Sequence, residues 1–180
     1  MAADLPLPAR QQAALLRLAY AMGLARYADV IAWVDAAILM VGNVPKELTN
    51  LALAEASRPK MIFGLLGQLA RNFDGKLADQ QALGVLRERF RSGQLGTDAA
   101  SHALQTFKEV GNTDLAQHGL LYSLDSEYEL GLMGYPLSTD MVAEAVSDFL
   151  DANRDDSYDP ALFARIEPDT PVSAARQSAG

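Results

Sequence analysis

The chain has 180 residues, a formal net charge of -8, two histidines and no cysteine, and 49% of it is hydrophobic while 7% is aromatic. That length can bury a core without disulfides or a structural metal, and the missing cysteines exclude disulfide scaffolds, cysteine-based zinc sites and thiol catalysis. The opening MAADLPLPARQQ lacks the basic and apolar regions of a signal peptide, and the most apolar window, 30–41, is too short for a bilayer and contains Asp35, so a cytoplasmic protein is expected.

Apolar residues recur at helical spacing through most of the chain, and alternating strand patterns are nearly absent. A first helix is expected from about Pro8, with Leu15, Leu18, Ala19 and Met22 on one face, ending near Gly23. The second, Tyr27 to Val41, gathers Val30, Ile31, Val34, Ile38 and Val41 with Trp33, Ala37 and Met40 beside them, a face wide enough to predict a central, buried helix. Gly42 to Pro45 reads as a stop and a fresh start, followed by a short helix with Leu48, Leu51 and Ala52. Ser57 and Pro59 open a fourth helix carrying Ile62, Leu65, Leu66 and Leu69, and Asn72 to Gly75 closes it.

A fifth helix runs from about Lys76 to Arg91 with Leu83, Leu86 and Phe90 inward, and a sixth follows Thr97 with Ala103, Leu104 and Phe107. The segment Leu115 to Leu132 sets Leu121, Leu124, Tyr128 and Leu132 on one face. Ser138 then starts a helix with Met141, Val142, Ala145, Val146, Phe149 and Leu150, and Asp159-Pro160 starts a last short one with Leu162, Phe163 and Ile166. No signature recurs at a fixed period, which argues against a regular solenoid. The expectation is an all-α, irregular multi-helix bundle of eight to nine helices, or stacked helical hairpins, forming one domain over 1–166 with a frayed tail at 167–180.

Charge is segregated. Residues 1–120 carry a net +1, whereas residues 121–160 hold ten acidic side chains against Arg154 alone, a net of -9. Asp140, Glu144, Asp148 and Asp151 fall at i, i+4, i+8 and i+11, along the side of their helix away from the apolar stripe. Asp125 and Glu129 form a similar pair on the preceding helix, and Asp155 follows in the loop. An acidic patch is therefore predicted, complementary to a basic protein and repelling nucleic acid and anionic membranes. The stretch 58–91, at net +4, has Arg87 and Arg91 on one face but no interleaved aromatics, and reads as a solvated face or one that pairs with the acidic helix.

Motifs for chemistry are weak. Asp151, Asn153, Asp155, Ser157 and Asp159 match the alternate ligand positions of a calcium loop, but Asp156 replaces its glycine and Leu162 its bidentate glutamate, so a polar interhelical loop is expected. His102 and His118 lack a second ligand at helical spacing, Ser57 to Lys60 matches S-x-x-K in letters only, and the glycines form no phosphate cradle. No metal, cofactor or enzymatic activity is expected.

The segment Tyr27-Ala-Asp29-Val-Ile-Ala-Trp33-Val-Asp35, continued by Pro45-x-x-Leu48-x-x-Leu51-Ala-Leu53-Ala, resembles segments of small helical bacterial proteins, including immunity proteins of secreted toxin systems. The resemblance covers residues 27–54 and transfers no site residues. It implies a non-catalytic protein that binds and blocks a cognate toxin. Combined with the charge pattern, it nominates Asp125, Glu129, Asp140, Glu144, Asp148, Asp151 and Asp155 as the partner-binding residues. The competing expectation is a helical adaptor or regulatory module with a small-molecule or peptide groove.

Overall fold

The computed structural model describes residues 5–112, 114, 139–158 and 162. Within them the chain is all-α: α1 (Leu7–Ala21), α2 (Tyr27–Met40), α3 (Lys46–Ala52), α4 (Pro59–Leu69), α5 (Gly75–Arg91), α6 (Thr97–Val110) and α7 (Thr139–Asn153). The helices expected over Leu115 to Leu132 and from Asp159, and the tail 167–180, lie outside the described residues.

Local chemistry sets the helix ends. Proline stands in the first turn of α1 and of α4, where the missing N–H costs nothing. The Asp74 carboxylate accepts from the Leu77 N–H at 2.9 Å and caps α5, and the Asp29 carboxylate accepts from the Arg26 N–H at 2.6 Å at the start of α2. After α1, Gly23 at φ 72° lets its own N–H reach the Tyr20 carbonyl and the Leu24 N–H reach that of Ala19, at 3.3 and 2.7 Å. This left-handed turn satisfies two otherwise orphaned carbonyls, and only glycine adopts it without a steric penalty.

The helix at the centre is α1, packed by α2, α4, α5 and α6. Its Ala9, Ala13, Ala14, Leu15, Leu16, Leu18 and Ala19 are all buried, and the four alanines let neighbours approach closely from several sides. The expectation for α2 fails here. That helix lies at an edge, packed on α1 and α3, with Val30, Trp33, Val34 and Ala37 buried but Leu39 87% and Met40 64% exposed. A wide apolar surface specifies how much a helix could bury, while the number of neighbours decides how much it does. Two polar contacts fix its pose: the Trp33 indole N–H donates to Gln12 Oε1 at 3.1 Å, and the Tyr27 hydroxyl donates to the Ala54 carbonyl at 2.6 Å.

The C-terminal part, α7 with the strap 154–158, packs on α5 and α6 through Val142, Val146, Phe149, Leu150 and Tyr158. The strap crosses α5 at Gly84, where a Cβ would stand 2.4 Å from the Asp155 carbonyl oxygen. Glycine inside a helix costs about 1 kcal/mol relative to alanine. Here it provides the space for the crossing. The Asp155 N–H donates to the Gln80 carbonyl at 2.9 Å, Gln81 reaches Ser157 at 3.4 Å, and the Tyr158 hydroxyl donates to Glu88.

Candidate interaction surface

The helical period divides α7 into two sides. Val142, Val146, Phe149 and Leu150 face the core, while Glu144 and Asp148, one turn apart, are exposed and form no ion pair with a described residue. Asp140 stands in the first turn, one turn before Glu144. Asp125 and Glu129 lie outside the described residues.

Asp151, at the C-terminal end of the same row, has a different setting. Its carboxylate accepts from Arg87 Nε and Arg91 Nη2, each at 2.5 Å, and Arg154 Nη1 donates to its backbone carbonyl at 2.7 Å. The hydrogen bond from Arg87, with the positive charge of Arg91, Arg87 and Arg154 around it, holds the Asp151 carboxyl below the usual carboxylate range. The two arginines stand four residues apart on α5, on the face that meets α7, so this part of the basic stretch closes on the protein's own acidic helix.

Asp155 is engaged locally, within the strap. Its carboxylate accepts from the Ser157 N–H at 2.7 Å, and hydrogen bonding to Ser157 keeps its carboxyl below the usual range. Asp156 pairs with Arg154 at 3.0 Å, and the Asn153 amide donates to the Phe149 carbonyl at 2.9 Å. The described carboxylates of the calcium-like loop thus serve separate protein partners, and no group of three histidine, aspartate or glutamate side chains among the described residues could hold a metal ion. Asp159 lies outside the described residues, as does His118, while His102 is exposed.

One polar cluster escaped the sequence reading. Asp79 on α5 is fully buried, and its carboxylate accepts from the Asn112 N–H at 3.0 Å and from the Asn112 side-chain amide at 2.8 Å. Arg17 donates to Asn112 Oδ1 at 3.3 Å and lays its guanidinium over the Phe63 ring, 4.2 Å from the centroid. Burial lowers the Arg17 pKa, and the Asp79 charge opposes that shift. The cluster binds the turn after α6 to α1, α4 and α5. Helical register could have revealed it, because Asp79 precedes Leu83 and Leu86 by one and two turns on the buried stripe.

Among the described residues no helix is long and apolar enough to cross a membrane. Comparison with models of protein families, with curated proteins and with solved structures finds no match to this chain.

Proposed function

We propose that this chain is a non-catalytic, cytoplasmic binding protein of the bacterial immunity or inhibitor type, an irregular bundle of eight to nine helices that blocks a basic toxin or effector through its acidic helices. The observation that carries the reading is the pair Glu144 and Asp148, exposed on α7 without a cationic partner among the described residues and opposite the side that packs on the core. Unneutralised carboxylates of one sign raise association rates with a basic partner and discourage acidic ones. Asp140 extends the row toward the N-terminal end of the helix, with Asp125 and Glu129 expected beside it. Asp151 and Asp155 act as supports for the surface, since their carboxylates hold the helix and the strap in place.

The test is affinity capture of binding partners from the source cell with the wild-type chain and with the Glu144→Lys/Asp148→Lys variant. A basic protein retained by the wild type, lost in the variant and eluted by salt is expected, with thermal melting showing both chains folded. Equal retention by the two chains sinks the assignment.

A further inference from the structure

The guanidinium of Arg17, half-buried on α1, is fixed on two sides and open on a third. One face lies over the Phe63 ring, and Nη1 donates to Asn112 Oδ1 at 3.3 Å. The backbone N–H and side-chain amide of Asn112 donate to the buried Asp79 carboxylate, so Asp79 is joined to Arg17 only through Asn112. The remaining edge, Nε with Nη2, meets no acceptor among the described residues, and neither atom is sealed from solvent. That edge is the one whose two parallel N–H groups grip an oxyanion in a fork. Gly67 on α4 leaves it clear: a Cβ there would stand 3.4 Å from Nε and 3.6 Å from Cδ of Arg17, with no other side chain or backbone within 4 Å.

A second guanidinium meets the same seam between α1 and α4. Arg10, two turns before Arg17 on α1, donates through Nε to the Leu5 carbonyl at 2.8 Å and through Nη1 to the Arg71 carbonyl at 3.3 Å. Arg17 thus lies beside Gly67 and Arg10 beside Arg71, four residues on, which is roughly 6 Å along a helix. Neither makes an ion pair among the described residues, whereas Arg58, Arg71, Arg87, Arg91 and Arg154 each do. Two arginines are therefore held in place by neutral acceptors and an aromatic ring, with their charge left over.

We propose that this seam is a binding site for a phosphoryl group, gripped by Nε and Nη2 of Arg17 and shared with Arg10. A tetrahedral dianion presents acceptors to both guanidiniums at once, while a carboxylate spends its two oxygens in one fork. The chain's net charge of -8 repels dianions in general, so phosphate retained here reports a local site and not diffuse attraction. The proposal does not depend on the acidic surface of α7.

The test is titration of the full chain with inorganic phosphate near neutral pH and at constant ionic strength, followed by NMR of the Gly67 amide and the Arg17 Nε–H. A saturable shift with a Kd on the order of 1 mM is expected, at least about tenfold tighter than for acetate. Arg17→Lys keeps the charge but removes the fork, and Gly67→Ala sets a methyl group against Nε; each should weaken binding about tenfold. Because Arg17 also fastens Asn112, Gly67→Ala is the cleaner variant: its Cβ meets Arg17 alone, at ordinary contact distance, so the melting temperature should not fall. Glu144→Lys/Asp148→Lys should leave the affinity within roughly threefold, so that this proposal and the α7 reading fail separately. Phenyl phosphate separates the sources: an ester bound as well as the free ion points to phosphate carried on a larger molecule, and the free ion alone to inorganic phosphate, both upholding the site. No saturable shift below about 20 mM, equal affinity for acetate, or an affinity unchanged by Gly67→Ala or by a folded Arg17→Lys overturns it.

Discussion

Two glycines inside helices show how one residue type takes opposite meanings from its surroundings. Gly84 is buried on α5 beneath the Asp155 carbonyl, whereas Gly64 is exposed on α4 with nothing within 4 Å of an added Cβ. Gly64→Ala removes the conformational freedom of the unfolded glycine at no steric cost and should stabilise the protein by about 0.4–1 kcal/mol. Gly84→Ala drives a methyl group against backbone that cannot yield cheaply and should destabilise it by about 1–3 kcal/mol. Urea denaturation followed by circular dichroism separates the two signs. If both substitutions stabilise, the strap does not cross where the structure places it.

At the scale of elements, the pairing of α5 with α7 has a pH signature. Arg87 and Arg91 hold the Asp151 carboxyl below its ordinary range, so its stabilising contribution is complete above the unfolded carboxylate pKa and is lost as pH falls through the lowered folded value. The melting temperature of wild type should therefore exceed that of Asp151→Asn at neutral pH, and the difference should close as the solution is acidified below about pH 4. A constant gap from pH 7 to pH 3 would assign the effect to packing. Helix ends were legible in the sequence because caps and left-handed turns are local: Pro59, Asp74 and Gly23 act on neighbours within one turn. The inward stripes of α4 and α6 were legible for the same reason, as period alone assigns Ile62, Leu66, Leu104 and Phe107 to the core. What tertiary neighbours decide was hidden. The face with Arg87 and Arg91 was read as solvated or as pairing with the acidic helix, and the second holds for Asp151, 64 and 60 residues later, but the four acids from Asp140 to Asp151 read as one uniform face and no spacing rule reports which of them takes the pair. The exposed end of α2 was hidden too, since hydropathy does not state how many helices surround it.

For the whole molecule, the C-terminal strap has a consequence for the order of folding. The hydrogen bonds that fasten Asp151, Ser157 and Tyr158 to α5 span 60 to 76 residues of chain, whereas the caps and turns of α1 to α5 close over three to six. Contacts of α1 with later helices bridge similar distances, but the clasp joins only α5 and the last described helix, so we expect it to form after the rate-limiting step has assembled helices around α1. Interactions absent from the transition state act on the unfolding rate alone. Stopped-flow measurements on Arg87→Ala should show a lower barrier out of the native basin, with unfolding faster by about the whole loss of stability and refolding nearly unchanged. A matching slowdown in refolding would instead place the clasp in the nucleus. With refolding unchanged, the strap that Gly84 admits is a late seal, setting how long a folded molecule persists more than how quickly it is made.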